Sequence, residues 1–255
     1  MFSRHIIWLL GAVALLGSCA TRQGPEPASS VLTIAAAANL TDVFSEVGPA
    51  FKARTGVEVV FSYGATAQLA QQIDNGAPFD LFAAADTKHV DDLVLTGKLV
   101  GESRRVYALG QLALWIPSAG QNELRELKDL VAPKIRFIAV AQPELAPYGF
   151  AAVEALQNAG LWDRVQPKIV YANSVNMAKQ LASSGNAEAA FTAYSLVLRE
   201  QGTVLRIDPH LYHPIEQAMA IIASSAHIEE ARKFQAFLAG AEGRAILAKN
   251  GYLLP

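Results

Sequence analysis

From residue 31 onward the chain alternates short apolar runs with segments of helical period. Val31 to Ala37 is apolar apart from Thr33, as in a strand buried on both faces. At Asn39 it gives way to a helical pattern through Leu40, Val43, Phe44 and Val47, which Gly56 stops. Val57 to Tyr63 alternates like a strand and runs through the small residues Gly64–Ala67 into a helical Gln68–Ile73. After a turn at Asn75–Pro78, Phe79 to Ala85 reads as another buried strand, followed by a helix over Lys88–Thr96. Strands and helices alternating at this length predict an α/β chain with a mainly parallel sheet.

The period changes at Val106–Ile116, a long apolar run with Gly110 at its middle, which can serve as a crossover between two sheets. The alternation then resumes. A short helix is expected over Leu124–Leu130, a strand over Arg136–Ala141 and a helix over Phe150–Ala159. A strand over Lys168–Ala172, a helix over Met177–Ser183 and a strand over Ala187–Ala193 follow. Ala218–Ala223 reads as the return crossover, and helices over Ile228–Leu238 and Glu242–Lys249 close the chain. This pattern predicts two lobes: 31–110 plus 217–255, and 111–216.

The first thirty residues read differently. Arg4 precedes an apolar stretch, Ile6–Leu16, too short for a comfortable transmembrane helix, and Leu16-Gly17-Ser18-Cys19 follows. That is the plan of a secretory signal peptide over 1–18. Cys19 is the only cysteine, so no intrachain disulfide and no cysteine metal site can form. Leu-Gly-Ser-Cys also resembles a bacterial lipobox, in which the cysteine becomes the lipidated first residue; a plain signal cleaved after Ser18 is the alternative. Residues 19–30, polar and rich in Pro and Ser, read as a tether. The expectation is an exported protein, periplasmic or at the cell surface, held to a membrane by the lipid on Cys19 only. A formal charge of −2 provides neither a basic stripe for nucleic acid nor a polybasic membrane patch.

Four strand–helix junctions carry the candidate chemistry: Ala38-Asn39, Ala65-Thr66, Tyr148-Gly149 and Ser174-Val175. Each offers a helix N-terminus with unpaired N–H groups and the positive end of the helix dipole. In open α/β sheets such loops gather at the carboxyl ends of the strands. Two facing lobes would bring four of them to one small anion without any Lys or Arg. Plain local capping is the competing reading, Asn39 being a preferred cap residue. An enzyme fits less well. His5, His89, His210, His213 and His227 are scattered, and only His210–His213 has metal-like spacing. Asp80 and Asp86 read as turn and cap residues, and Ser62 and Ser195 lie in no nucleophile motif.

The stretches IAAAANLTDVF, FSYGATAQLAQQI, GAPFDLFAAAD, ALGQLALW, APYGFAAVEAL, ANSV and ILAKNGYLLP, in this order, make the chain from Val31 to Pro255 resemble the molybdate-binding proteins of bacterial ABC importers. The resemblance implies an α/β, type II periplasmic binding fold, with mixed, mainly parallel sheets in two lobes joined by crossover strands. It implies molybdate or tungstate as ligand, bound as the oxyanion with no resident cofactor or free metal cation. Matching the family's anion loops are Ala38 and Asn39, then Thr66, Tyr148 and Val175, with Ala193 and Tyr194 as weaker candidates. Asn39 and Thr66 stand where many members have Ser, and Ala193 where many have Tyr. The implied partners are an ABC permease and its ATPase subunit, for a monomeric binding protein that is not an enzyme. Another oxyanion such as sulfate or phosphate, or an exported enzyme on the same fold, are the alternatives.

Overall fold

The computed structural model describes residues 31–117 and 124–255; the signal peptide, the tether and Cys19 lie outside the described residues. In chain order the elements are β1 (Val31–Ala37), α1 (Thr41–Thr55), β2 (Glu58–Gly64), α2 (Thr66–Asp74), β3 (Leu81–Ala83), α3 (Lys88–Leu95), β4 (Arg105–Gly110) and β5 (Leu112–Ile116). Then come β6 (Ile138–Ala141), α4 (Pro147–Asn158), α5 (Trp162–Val165), β7 (Ile169–Ala172), α6 (Val175–Ser183), β8 (Ala189–Ala193), α7 (Tyr194–Val197), β9 (Thr203–Arg206), β10 (Ile215–Ile221), α8 (Ile228–Ala239) and α9 (Ala241–Lys249).

The strands form two five-stranded sheets, ordered β2-β1-β3-β10-β4 and β7-β6-β8-β5-β9. The two orders are the same when β1 is matched to β6, β2 to β7, β3 to β8, β10 to β5 and β4 to β9. In each sheet three parallel strands are followed by one reversed strand, β10 or β5, and an edge strand that turns back to the common direction. The reversed strand is in both cases the one that has just crossed from the other sheet. The apolar run at 106–116 is thus two strands, broken at Gln111, and the sheets are mixed but mainly parallel.

Both faces of each sheet are covered, which is why the strands read as nearly continuous apolar runs. On the first sheet, Phe44 and Phe51 of α1 meet Phe234 of α8 at ring-centroid distances of 5.8 and 5.2 Å. The opposite face buries Leu69 and Ile73 of α2 and Val90 and Leu93 of α3 against Ala35, Phe82 and Ala220. On the second sheet, Ala113, Ala139 and Ala190 pack against Ala178 and Ala182 of α6.

Differences from the sequence reading are local. The helix expected from Phe150 begins at Pro147, where a proline suits the first helical turn, so Tyr148 lies within that turn. The strand expected over Phe79–Ala85 is Leu81–Ala83; at its start the Asp80 backbone still bonds both neighbours, its N–H to Thr33 O at 2.8 Å and its O from the Ile222 N–H at 2.9 Å, while its carboxylate accepts the Thr33 N–H at 2.7 Å. The helix expected over Leu124–Leu130 is a 3-10 turn over Leu127–Val131. The return strand starts at Ile215, paired with Gly110, three residues ahead of Ala218.

Candidate functional site

The four junctions lie at the carboxyl ends of β1, β2, β6 and β7, and the structure draws them together across the gap between the lobes. The Ala67 N–H, in the first turn of α2, donates to Leu145 O before α4 at 3.1 Å. Asn176 Nδ2, in the first turn of α6, donates to Thr41 Oγ1 at 3.3 Å. Asn39 and Tyr148 are joined through one side chain, Gln217, by two hydrogen bonds of 2.9 Å. Asn39 and Thr66 are 1% exposed, Tyr148 2%, Val175 4% and Ala38 6%.

Each junction keeps donors in reserve. Among the described residues, the backbone N–H groups of Asn39, Thr66, Tyr148 and Val175 enter no turn, loop or cap hydrogen bond. This follows from their positions in first helical turns, where no intrahelical acceptor exists. At the fourth junction Ser174 is a true N-cap, its Oγ accepting the Met177 N–H at 3.2 Å, which leaves the Val175 N–H outward. Thr66 Oγ1 accepts the Ala85 N–H at 3.1 Å, and the Tyr148 phenol oxygen accepts from Gln217 Nε2 at 2.9 Å. Neither hydroxyl proton meets an acceptor among the described residues. Two buried O–H groups and a set of helix-terminal N–H groups therefore keep hydrogens to offer, of the kind a small anion takes.

Asn39 is not a helix cap. It sits inside a 3-10 turn, Ala38–Leu40, that leads into α1, and neither this turn nor α1 has a side-chain cap bond. Its Nδ2 donates to Gln217 Oε1 at 2.9 Å and to the Tyr252 phenol at 3.0 Å, while Tyr252 donates to Asn39 O at 2.8 Å. Ser195 Oγ is 3.1 Å from that phenol, and Tyr107 OH is 2.9 Å from Ala84 O and 3.0 Å from Gln217 Oε1. Gln217, Tyr252 and Tyr107 are buried residues that the sequence reading did not single out, and Ser195, also buried, it weighed only as a nucleophile. The one available signal was Gln217, a polar residue opening the otherwise apolar stretch that follows it.

Ala193 ends β8 fully buried. Tyr194 turns from the convergence: its ring lies 5.6 Å beneath the Arg206 guanidinium, and Gly251 packs against its edge. Beside the site opens a cleft of about 470 Å³. Its walls include Ala85, which holds Thr66, Ala146 and Pro147 next to Tyr148, and His213 of the return crossover.

Four of the other candidates pair with neighbours, and His227 faces one of them. Asp80 accepts from Thr33 and Ser225 and faces His227, Asp86 pairs with His89, and His213 pairs with Glu154. Among the described residues no group of three or more His, Cys, Asp or Glu side chains is placed to hold a metal ion.

Burial pushes the phenols of Tyr107, Tyr148 and Tyr252 above their ordinary value, so all three stay neutral donors. A folded-state value raised above the unfolded one favours the native state fully below the ordinary value of 10.0; above it the unfolded chain ionises first. Urea midpoints should therefore hold level from pH 8 to 9.5 and fall above about pH 10; a midpoint that climbs between pH 10 and 11 would contradict these neutral phenols.

Two α/β lobes joined by crossover strands, with buried polar groups where they meet, match the architecture of a solute-binding protein. The chain belongs to the bacterial extracellular solute-binding protein family, whose model matches residues 32–253. It is 35% identical over 229 residues to the molybdate-binding protein ModA of Rhodobacter capsulatus, covering 89% of this chain and 90% of that protein. The solved periplasmic molybdate-binding protein of Azotobacter vinelandii superposes with a TM-score of 0.82 at 33% identity, covering 88% of this chain and 99% of that one. A putative ABC transporter substrate-binding lipoprotein of Bacillus subtilis, YvgL, is 27% identical over 259 residues, or 99% of both chains. These relatives are binding proteins rather than enzymes.

Proposed function

We propose that the chain captures molybdate, and tungstate with it, between its lobes and delivers it to the permease and ATPase of an ABC importer. Supporting this most directly are the two buried hydroxyl protons of Thr66 and Tyr148, left without acceptors beside four unpaired helix-terminal N–H groups. The lobes are those of the two sheets, meeting near residue 110 and residues 214–217. Ala38, Asn39, Thr66, Tyr148 and Val175 hold the oxyanion; Asn39 acts through its backbone N–H, because its side-chain hydrogens are taken. A dianion bridging both lobes makes its full set of contacts only in the closed form, which is how binding drives closure. Sulfate, being smaller, fails to reach every donor and leaves some unpaired. Hydrogen phosphate brings a proton that donors cannot accept.

The protein is exported and works as a monomer, anchored by lipid on Cys19 with no other membrane contact. The lipoprotein naming of YvgL, matched over nearly its whole length, agrees with that anchor.

Titration calorimetry with molybdate, tungstate, sulfate and phosphate tests the reading. Heat with molybdate and tungstate supports it; heat with sulfate or phosphate alone, or with none of the four, refutes it. Thr66→Ala removes one charge-assisted donor and should weaken molybdate binding by about tenfold or more. Asn39→Ala, which strips Gln217 and Tyr252 of their shared partner, should weaken it too. If both variants bind like the parent, the site is elsewhere.

A further inference from the structure

The hydrogen-bond chain behind the site has a direction, and backbone atoms set it. Tyr252 has one proton, and the nearest acceptor, Asn39 O at 2.8 Å, takes it. At the same phenol oxygen the Asn39 carboxamide, 3.0 Å away, must therefore present its NH₂ group. The second hydrogen of that group points at Gln217, 2.9 Å away, so Gln217 must face it with Oε1. Tyr107 has one proton for two acceptors, Ala84 O at 2.9 Å and Gln217 Oε1 at 3.0 Å, and in this orientation shares it between them. Gln217 then has only Nε2 to offer Tyr148, and it donates to the phenol oxygen at 2.9 Å. With that oxygen already accepting, the Tyr148 proton is directed away from Gln217.

The backbone is shaped for this. β10 carries a bulge between Gln217 and Ala218 where it pairs with β4, a feature that re-aims a side chain. Gly110 on β4 leaves room for the two groups to meet: a Cβ there would lie 2.1 Å from the Tyr148 oxygen and 2.6 Å from Gln217 Nε2.

We infer that Gln217 is a positioning residue that sets the specificity of the site without touching the ligand, by fixing Tyr148 as a hydrogen-bond donor. The inference rests on the reading of the chain as an oxyanion-binding protein. A phenol held as a donor favours a fully deprotonated oxyanion and offers nothing to the proton of hydrogen phosphate. Released from Nε2, the same phenol rotates, and its oxygen can accept that proton. Gln217 thus governs the ratio of molybdate to phosphate affinity more than it governs affinity itself.

The test is a double-mutant cycle. Molybdate affinity is measured by calorimetry and phosphate affinity by competition, for the parent, Gln217→Met, Tyr148→Phe and the double variant. Gln217→Met should narrow the molybdate-to-phosphate ratio by about tenfold, the scale of one hydrogen bond to a charged ligand. In the Tyr148→Phe background the same change should leave the ratio where it is. Should Gln217→Met fail to fold, Tyr252→Phe takes its place. Losing one oxygen frees the Asn39 carboxamide to turn over, and the ratio should narrow again, only when Tyr148 is present. A ratio unmoved by the decisive variant, or moved equally in both backgrounds, overturns the inference while parent molybdate binding stands. A parent that binds no oxyanion overturns the functional reading, and the inference with it.

Discussion

Replacing Gly149 by alanine should lower stability by about 3 kcal/mol, the upper range for overpacking a tight contact, and the thermal midpoint by about 6–12 °C for a chain of this size. Gly149 is the third residue of α4, where the helix comes down on the end of β6. A Cβ there would lie 2.0 Å from Ala141 O and 2.7 Å from Ala141 C. These are backbone atoms of a buried strand, so no side-chain rotation relieves the clash and the helix must lift. Lifting α4 also carries the Tyr148 N–H and phenol out of the site, so the variant should lose molybdate affinity together with stability. Thermal scans with and without molybdate read both effects. A midpoint within 2 °C of the parent, with the ligand-induced shift intact, would show that α4 is not seated as described.

Gly110→Ala should separate the two effects. Its added Cβ also meets atoms far inside contact distance, but they belong to two side chains, the Tyr148 hydroxyl with its Cζ and the Gln217 amide, and not to backbone. Side-chain ends can swing away, so the fold should hold, with the midpoint moving by only about 2–4 °C, as for a loss of roughly 1 kcal/mol. The hydroxyl cannot swing without leaving the anion. One charge-assisted hydrogen bond is lost, and the support of Asn39 is disturbed, which should weaken molybdate by about 100-fold. A Gly110→Ala protein that binds like the parent would remove Tyr148 from the list of donors.

The sheets, their helices and the crossover were legible because each rests on a local pattern. Both faces of β1, β6 and β8 are buried, so Val31–Ala37, Ile138–Ala141 and Ala189–Ala193 read as apolar runs. The four junctions were legible for the same reason, since a small residue between strand and helix is a signal only a few residues long. Short elements such as β9 and α7 were missed, being too brief to show a period. The role of the Asn39 side chain was not legible at all. An Asn ahead of a helix suggests a cap, yet its partners lie 178 and 213 residues away. Nothing local distinguishes an amide bonded to its own turn from one bonded across the molecule. The buried tyrosines were hidden similarly: in sequence Tyr107 and Tyr252 are apolar positions of ordinary kind, and only tertiary packing assigns work to their oxygens.

The bond between Tyr252 and Asn39 also bears on how the molecule comes into being. Asn39 lies near the start of the folded chain and Tyr252 close to its end, on a segment where Leu253 and Leu109 exchange two backbone hydrogen bonds beside the crossover. A fragment emerging from a ribosome or a membrane pore can form β1, α1 and β2 early, since these contacts are local. It cannot fix the Asn39 carboxamide until Tyr252 arrives. A product lacking Tyr252 can carry nearly every strand and helix and still lack the atom that orients the Asn39 carboxamide.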